Sequence, residues 1–569
     1  MSIIQFIGNN CKNCYKCIRN CEIKAIKCVD GQARVIEEEC VLCGKCTLVC
    51  PQNAKKIFSD LENVQALLEA KRKVYVSLAP SYISAFPGVS FGQISAAIKQ
   101  LGFIGVEETA IGATEVSREF ASMLARKKMK NVITTCCPTV NLLVEKNYPS
   151  LIPYMAPVVA PATAHAKMLR NIYGNRVKVV FIGPCISKKH EAQRGGAIHS
   201  VLLFDELREW FAREGIRLDT PDSEAAEMHG TLSRLYPVPG GIIRTIPATS
   251  RAGYHTVAVD GLGRCISILD SLRDHDLEGY FLEMSACAGS CMEGPGMQKN
   301  STPFIHAKTL LLGTVSKKTE TPKPFTENTH PDLSARYNHT RVRQGTPTEE
   351  DLAEIFHEIG KYTDADMLNC GACGYNTCRD KAIAVYHGKA DLHMCLPHLR
   401  EKAESMSNLI LDNTPNAIFV ADKNLDILEY NKTAQRIFGL TAERTIGLPL
   451  AFIMDVPAFH ELKDNNGQKV EIYTTFHDEE RHLSLDMSIV STTLGNDFII
   501  IAKDISREEK NRTEIEKIRR ETIETTQRVI DKQMRVAQEI ASLLGETTGE
   551  TKAALTKLKK SITAEEVSL

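Results

Sequence analysis

The chain has 569 residues, in which 69 Lys and Arg are balanced by 70 Asp and Glu, so its formal net charge is −1. This balance offers no overall attraction for nucleic acid or for an anionic membrane, which excludes both as default partners. At about 150 residues per domain, the length predicts three or four domains.

The start of the chain and its apolar stretches indicate the cellular location of the protein. Residues 1–10 lack a basic segment followed by a long apolar one, so we expect no secretory signal. The most apolar long stretch, residues 151–168, is interrupted by Pro153, Pro157 and Pro161, so we expect no membrane span. We therefore expect a cytoplasmic protein.

Cysteine is the residue type that stands out, with 19 copies. In a reducing cytoplasm, dense cysteine indicates metal binding or catalysis rather than disulfide bonds. Most of the cysteines fall into closely spaced groups, so the spacing within each group decides which kind of site is expected.

Residues 1–60 contain two cysteine runs with the same spacing of two, two and three intervening residues. This spacing is typical of double-cluster ferredoxins, in which the fourth cysteine of each run binds the other cluster. We expect an α+β ferredoxin domain that conducts electrons, with structural zinc as the alternative. One 4Fe-4S cluster is expected on Cys11, Cys14, Cys17 and Cys50, and the other on Cys40, Cys43, Cys46 and Cys21.

Residues 70–296 alternate between strands and helices. Apolar, β-branched segments such as 73–78 and 178–182 alternate with helical segments such as 90–101 and 115–128. Each strand leads into a loop that carries Pro or Cys, which is where α/β folds place their chemistry. An α/β domain is therefore expected here.

The stretch that follows is expected to connect this domain to the rest of the chain. Residues 297–345 carry Thr, Lys and Pro with little periodicity, which predicts a loop-rich connector. The segment Thr346-Pro-Thr-Glu349 has the pattern of a capping box with Pro at the first helical position, so a helix is expected to start there. The α/β domain with its connector is expected to span 70–365.

Three cysteine-bearing loops follow predicted strands of the α/β region. They are Thr134-Thr-Cys-Cys-Pro138, Gly183-Pro-Cys-Ile-Ser-Lys-Lys-His-Glu191 and Glu283-Met-Ser-Ala-Cys-Ala-Gly-Ser-Cys291. In this order, behind a ferredoxin domain, they resemble the three signature motifs of the FeFe hydrogenases, over about residues 1–296. The resemblance implies a 4Fe-4S cluster on Cys137, Cys185, Cys287 and Cys291.

The resemblance also implies the rest of the family's H-cluster, which interconverts H2 with protons and electrons. Cys291 is expected to bridge to a two-iron subcluster that carries CO, cyanide and a dithiolate amine and is installed by maturation proteins. Lys188 is expected to supply a cation for one cyanide. The pocket loop Ala79-Pro80-Ser81 is expected to bring the Ser81 hydroxyl to the other cyanide. Cys136 is expected to relay protons, with a structural buried cysteine as the alternative.

The chain departs from the catalytic members of the family along their proton path. The two glutamates of that path align with Phe120 and Met123, and its serine aligns with Ala156. The two methionines beside the bridging CO align with Gly183 and Ser285. Because positioned acids and bases contribute orders of magnitude to rate, we expect slow turnover or another proton route.

Residues 366–400 hold a further group of cysteines. The spacing Cys370-x2-Cys373-x4-Cys378-x16-Cys395 resembles the small four-cysteine 4Fe-4S domain of corrinoid iron–sulfur proteins. The resemblance implies one more cluster, which brings the expected total to four 4Fe-4S clusters. Zinc is the alternative here.

The C-terminal part of the chain has a different pattern. The stretch from Asn416 to Leu440 has two strands, an Asn and an Arg-Ile-Phe-Gly helix, and so resembles the start of a PAS domain, expected over 404–506. This domain has no cysteine, which excludes cysteinyl-flavin photochemistry and leaves its ligand unknown. Residues 507–569 combine charges with spaced apolar residues, which predicts a helical segment for signalling or dimerisation.

These features support three hypotheses, in descending order. The first is a hydrogen-sensing FeFe hydrogenase, a homodimer whose clusters pass electrons toward the PAS domain and whose helix signals to a downstream protein. The second is a metabolic hydrogenase that exchanges electrons with a ferredoxin-like partner. The third is a non-catalytic iron–sulfur protein of electron transfer or cluster assembly, against which Cys136, Lys188 and Ser81 argue.

Overall fold

The computed structural model of the chain divides into two compact units, Met1–His398 and Leu399–Leu569. The residues that the structure describes are 2–219, 232–297, 302–315, 331–340, 345–440, 445–459, 471–479, 481–491, 497–544 and 548–564.

The first 60 residues form two small antiparallel strand pairs with short helices inside the cysteine runs. The pairs join β1 to β4 and β2 to β3. This is the α+β arrangement that the doubled cysteine run predicts. The elements are β1 (Ile4–Phe6), α1 (Lys16–Arg19), β2 (Ile26–Val29), β3 (Gln32–Val35), α2 (Lys45–Val49) and β4 (Lys55–Ile57).

Two parallel sheets flanked by helices form the centre of the first unit. One sheet has the strand order β6-β5-β8-β9 and the other β10-β11-β7. The strands are β5 (Val74–Leu78), β6 (Gly105–Glu108), β7 (Val132–Ile133), β8 (Lys178–Gly183), β9 (Ser200–Leu203), β10 (His255–Asp260) and β11 (Tyr280–Ser285). The helices are α3 (Leu61–Glu69), α4 (Tyr82–Ala85), α5 (Phe91–Gln100), α6 (Ala110–Ala125), α7 (Pro138–Asn147), α8 (Pro161–Tyr173), α9 (Ser187–Gly195), α10 (Phe204–Glu214), α11 (Gly241–Thr245), α12 (Leu262–Asp274) and α13 (Phe304–Gly313).

Local sequence explains where several of these helices begin. Ser90 caps α5, because its side chain accepts the Gln93 N–H and the Gln93 side chain accepts the Ser90 N–H. Helix α6 starts at Ala110, earlier than the predicted residue 115. It packs closely on α8, since a Cβ on Gly112 would lie 2.4 Å from the Pro161 carbonyl oxygen.

The predicted connector is wrong in two respects. Helix α13 lies inside the range 297–345, where a loop was expected, and it is anchored by the fully buried Ala307 and Leu311. The helix predicted to start at Thr346 starts instead after Thr348, because the Thr348 hydroxyl accepts the Asp351 N–H and completes the capping box. Much of the remaining connector lies outside the described residues.

Helix α14 (Glu349–Glu358) precedes the four-cysteine segment, which contains α15 (Cys378–Tyr386) and leads into α16 (Leu396–Asn413). The second unit contains a five-stranded antiparallel sheet in the order β13-β12-β16-β15-β14. Its elements are β12 (Ala417–Ala421), β13 (Ile427–Tyr430), α17 (Lys432–Phe438), β14 (Glu471–Asp478), β15 (Leu483–Ser491), β16 (Phe498–Asp504), α18 (Ser506–Leu544) and α19 (Thr548–Ala564).

The PAS-like pattern is explained by one buried asparagine. Asn431 caps α17 by accepting the Ala434 N–H at 2.9 Å, and its side-chain amide also donates to the carbonyl oxygens of Leu411 and Asn416. The hydrogen bonds of the Asn431 side chain therefore connect the first strand pair, and the segment before it, to helix α17 at the edge of the sheet.

Candidate active site

The carboxyl ends of five strands from the two parallel sheets surround a cavity of about 110 Å³. Strand β5 supplies Ala79, Pro80 and Ser81, and β8 supplies Pro184 and Cys185. Because parallel strands all run the same way, loops that are distant in sequence meet at this edge. The walls are mostly apolar, and the remaining lining residues are Thr109, Cys136, Cys137, Pro138, Pro161, Ala162, Phe181, Lys188, Tyr236, Pro237, Ile242, Glu283, Met284, Ser285, Ser290 and Cys291.

The structure brings together the four cysteines of the three signature-like loops. Burial raises the pKa of Cys287 well above its usual value, and the neighbouring Cys185, Cys137 and Cys291 raise it further. Burial and then Cys185 and Cys137 also raise the pKa of Cys291. Four thiols this close are costly as bare anions, so the set suits a bound iron cluster that neutralises their charge.

Glycines allow these loops to approach one another. A Cβ on Gly294 would lie 2.7 Å from the Pro184 side chain, and Gly289 has φ +72°, a backbone conformation that favours glycine. The loop after β11 can therefore pack directly against the loop after β8. This contact holds Cys291 and Cys185 at the same cavity.

Cys136 adjoins the four-thiol set without belonging to it. Burial raises its pKa well above the ordinary value, and although Lys188 opposes that shift, Glu283 and Cys137 add to it. The group is therefore a protonated thiol at neutral pH. A thiol at the cavity wall is a group that can donate a proton to a bound group.

Glu283 is a cavity residue whose role the sequence analysis missed. Burial raises its pKa to about 7, although the backbone N–H of Ile243, 2.9 Å from Oε2, and other amides at the start of α11 lower it. The available signal was an acidic residue inside the apolar strand β11, since buried carboxylates are rare without a partner.

Lys188 reaches the cavity from α9, and its ammonium forms an ion pair with Glu191 on the side away from the cavity. Its Nζ donates to Glu191 Oε2 at 2.5 Å, and the Thr163 hydroxyl donates to the other carboxylate oxygen at 2.5 Å. Burial alone would lower the pKa of Lys188, but Glu191 and the neighbouring Cys185 raise it above the ordinary value. An ammonium has three donors, so Lys188 remains able to bind an anionic ligand in the cavity.

Ser81 supplies an independent sign that the cavity holds a polar group. Its side chain is fully buried, and Oγ has no hydrogen-bond partner among the described residues. A buried hydroxyl without a partner costs free energy, so such atoms mark places where a ligand completes the hydrogen bonding. The thiols, Lys188 and Ser81 therefore fit a cluster that carries small anionic ligands.

The positions aligned with the family's proton path contain no acid or base. Phe120 and Ala156 are fully buried in one apolar cluster, against which Met123 and Cys136 pack, and the Phe120 ring lies 6.1 Å from that of Phe281. Glu119, the nearest carboxylate in sequence, lines a different cavity. Apolar side chains thus occupy the positions that align with the family's proton path.

One of the two expected ferredoxin-like cysteine sets lies together, and two members of the other set are neighbours. Cys21 lies beside Cys43 and Cys40, and all three lie near Cys46, where burial and these neighbours raise its pKa. In the other set, burial and Cys50 raise the pKa of Cys17, although the Lys55 ammonium, 3.4 Å from the thiol, opposes them. Cys11 and Cys14 lie at or near the surface.

The ferredoxin-like region also touches the cavity cysteines. Cys43 is among the neighbours that raise the pKa of Cys287, after burial and the three nearer thiols. A Cβ on Gly44 would lie 2.8 Å from Pro295 and 3.0 Å from Ile186, so the two regions are in close contact. The thiol set around Cys43 therefore lies next to that of the cavity.

The four-cysteine segment packs on the ferredoxin-like region rather than standing apart. Cys370, Cys373, Cys378 and Cys395 line one small cavity together with Lys381. The Lys24 ammonium donates to the Gly374 carbonyl oxygen at 2.8 Å, and Lys389 pairs with Glu39 at 2.6 Å. The two regions also share a buried apolar cluster that includes Ile18 and Tyr375.

Among the described residues, no three His, Cys, Asp or Glu side chains are close enough to hold a single metal ion. The cysteines of each set are thus spaced more widely than the ligands of one ion. No helix in the described ranges is both long and apolar enough to cross a bilayer.

Family models match four parts of the chain. Residues 72–295 match the C-terminal domain of the iron-only hydrogenase large subunit. Residues 33–56 match a 4Fe-4S binding domain, residues 366–397 an Fe-S cluster model, and residues 406–505 the PAS fold. The matches support a PAS-bearing FeFe hydrogenase-like protein with iron–sulfur domains, whose cavity lies in the part that is similar to the iron-only hydrogenase large subunit.

Curated relatives fall into two classes. Iron hydrogenase 1 of Clostridium pasteurianum is 26% identical over 52% of this chain and 63% of its own length. The periplasmic [Fe] hydrogenase large subunit of Nitratidesulfovibrio vulgaris is 24% identical over 37% of this chain and 62% of its own length. The chain thus spans less than two thirds of either relative. The cytosolic Fe-S cluster assembly factor NAR1 of Yarrowia lipolytica is 25% identical over 29% of this chain and 40% of its own length.

Solved structures also match this chain. A variant of apo [FeFe]-hydrogenase HydA1 from Chlamydomonas reinhardtii has 19% sequence identity and a TM-score of 0.42. The match covers 50% of this chain and 100% of that one.

Proposed function

We propose that the chain is a hydrogen-sensing FeFe hydrogenase that converts H2 to two protons and two electrons at an H-cluster, with slow turnover. The observation that carries the proposal is the convergence of Cys137, Cys185 and Cys291 with Lys188 and the unpartnered Ser81 hydroxyl on one cavity, with Cys287 next to the three thiols. The loss of the family's proton path and the presence of a PAS domain favour sensing over metabolism.

In this proposal Cys137, Cys185, Cys287 and Cys291 hold a 4Fe-4S cluster, and Cys291 also bridges to a two-iron subcluster with CO, cyanide and a dithiolate. That bound group supplies the site at which H2 is split. The protein supplies the rest: Lys188 and Ser81 orient the anionic ligands, and the apolar walls exclude bulk water. Cys136 holds a proton at its thiol next to the site.

Three further clusters conduct the electrons. The cysteine set around Cys43 adjoins the cavity set, so we assign the first transfer to the cluster on Cys21, Cys40, Cys43 and Cys46. The cluster on Cys11, Cys14, Cys17 and Cys50 shares the same small domain. The cluster on Cys370, Cys373, Cys378 and Cys395 packs against that domain through Tyr375 and Lys24.

The output is proposed to leave through the PAS domain and the helical segment. Helix α18 has exposed apolar residues at Ile515, Ile518, Val529, Val536 and Ile540 among its charges, which suits pairing with a second copy in a homodimer. We assign a cytoplasmic location, domain limits of 1–60, 70–365, 366–400, 404–506 and 507–569, and a downstream signalling protein as the partner.

A second candidate is a non-catalytic iron–sulfur protein, which the similarity to NAR1 favours. A third is a metabolic hydrogenase linked to a ferredoxin-like partner, which the hydrogenase relatives favour.

Infrared spectra of protein matured with the two-iron cofactor, recorded before and after addition of H2, distinguish the three proposed functions. We expect sharp CO and cyanide bands that shift under H2. If these bands are absent at full iron–sulfur loading, the result favours the non-catalytic iron–sulfur protein. Fast turnover would favour the metabolic hydrogenase.

A further inference from the structure

A chain of hydrogen bonds runs from the cavity wall to the surface through residues other than those aligned with the lost proton path. It begins at the Thr109 hydroxyl, which lines the cavity and lies 2.8 Å from Ser77 Oγ. Ser77 Oγ lies 2.9 Å from His165 Nδ1. His165 Nε2 lies 3.5 Å from Glu107 Oε2. Ser77 and His165 are 0% and 1% exposed, whereas the Glu107 side chain is 27% exposed.

We infer that Thr109, Ser77, His165 and Glu107 form a proton relay between the cavity and solvent. The inference rests on the proposed function, because it supplies the route that hydrogen turnover needs. Every member can both accept and donate a proton: hydroxyls carry one proton and two lone pairs, and neutral imidazole carries one donor and one acceptor nitrogen. The outermost member is a carboxylate that reaches water.

The proton balance closes along this chain. In the outward direction Thr109 accepts a proton from the cavity and passes its own to Ser77, which passes its own to His165 Nδ1. His165 releases the proton on Nε2 to Glu107, and Glu107 releases it to solvent. One proton enters and one leaves, and the electrons leave separately through the clusters. Rotation of the hydroxyls and exchange of the imidazole proton restore the starting state.

The surrounding structure holds the relay in place. Gly112 lets α6 pack against α8, since a Cβ there would lie 2.6 Å from the His165 backbone nitrogen. The Tyr173 hydroxyl donates to Glu107 at 2.9 Å, and Tyr173 stacks on Tyr75 at 4.2 Å. Burial tends to raise the pKa of Glu107, but the bonds from His165 and Tyr173 lower it below the ordinary value.

Two carboxylates, Glu107 and Glu108, lie near His165. Glu108, the other carboxylate near His165, is paired with Arg234 through two bonds of 2.6 and 2.8 Å. Its charge is therefore committed to that buried ion pair. Glu107 remains the carboxylate that can exchange a proton with His165.

The relay is tested first by a readout that does not depend on turnover. The S–H stretching band of Cys136, identified by its loss in Cys136→Ala, is followed in iron–sulfur-loaded protein after transfer to D2O. We expect Thr109→Val and Ser77→Ala to slow the change from S–H to S–D at least about tenfold. Thr114→Val is the matched control, because that hydroxyl bonds instead to Ser233 and Ala110. If the exchange rate is the same in the parent protein and in the Thr109→Val, Ser77→Ala and Thr114→Val variants, the relay is overturned.

A second measurement separates this inference from the proposed function. After maturation with the two-iron cofactor, Thr109→Val should keep the infrared bands of the parent protein and lose about tenfold or more in H2 oxidation. Parent protein that shows neither bands nor an H2 response, together with slowed exchange in the variants, refutes the proposed function and leaves the relay intact. Unchanged turnover and unchanged exchange in Thr109→Val refute the relay alone.

Discussion

The Lys188 ammonium and the Glu191 carboxylate are joined by a hydrogen bond of 2.5 Å at the rear of the cavity wall. The pair fixes the lysine in the first turn of α9 and raises its pKa. Lys188 therefore reaches the cavity already charged and oriented, which lowers the entropy cost of binding an anionic ligand.

Replacing Glu191 with Gln should weaken this orientation without emptying the cavity wall. We expect the pKa of Lys188 to fall and the cofactor to be held less tightly, with about 10-fold lower H2 oxidation, the low end for partners that orient a ligand. Infrared spectra should show shifted cyanide bands. Arg208→Gln, which breaks a surface pair with Asp205, is the control. Cyanide bands identical to those of the parent would contradict the role of Glu191.

Cys136→Ala should separate binding of the cofactor from proton transfer. The alanine keeps the cavity wall apolar but removes the thiol that donates a proton. We therefore expect turnover to fall about 100-fold while the CO and cyanide bands remain. Cys265→Ala is a suitable control, because that buried cysteine bonds the Ser285 carbonyl oxygen instead of lining the cavity. Equal loss in both variants would indicate a packing effect.

Gly374→Ala should loosen the four-cysteine segment from the ferredoxin-like region. A Cβ there would lie 2.9 Å from Ile18 Cγ2, at a φ of +97° that alanine adopts at a cost of about 1–2 kcal/mol. We expect weaker magnetic coupling between the clusters in paramagnetic resonance spectra. Gly388→Ala shares the positive φ but meets nothing within 4 Å, so its coupling should match the parent protein. Loss of coupling in both variants would assign the effect to backbone strain.

Glu283 should make the stability of the first unit depend on pH. Since its pKa is about 7 in the folded protein and 4.5 ordinarily, the folded state binds this proton more tightly than the unfolded state. The free energy of unfolding should therefore fall by about 2 kcal/mol between pH ~5.5 and pH ~8. Urea unfolding at these two pH values should show a smaller fall in Glu283→Gln. The same fall in both proteins would contradict the shift.

The sequence could predict the features that depend on short spacing. The cysteine runs, the motif loops and the Asn431 helix cap each depend on residues within a few positions of one another, so their chemistry is visible locally. Cys21 accordingly lies with Cys40, Cys43 and Cys46, and Cys287 with Cys137, Cys185 and Cys291, whereas the full ligand sets stay a prediction.

The features that the sequence could not predict depend on distant packing. Nothing near Gly374 in the chain indicates that it contacts Ile18, and helix α13 exists because Ala307 and Leu311 are buried by other elements. Thr109, Ser77 and His165 lie in three separate elements, so their hydrogen bonds appear only in the folded protein. Glu283 was visible as a polar residue in an apolar strand, but its amide partners on α11 were not.

The contact between Lys389 and Glu39 joins residues 350 positions apart. It can therefore form only after the ribosome has translated the chain between them. At about 5–20 residues per second, a ribosome needs roughly 20–70 seconds to make that intervening chain. During this interval the apolar face around Ile18 and Ile26 has no cover from the four-cysteine segment. The N-terminal domain of the nascent chain therefore keeps an uncovered apolar face until translation has almost reached residues 406–505, which match the PAS fold.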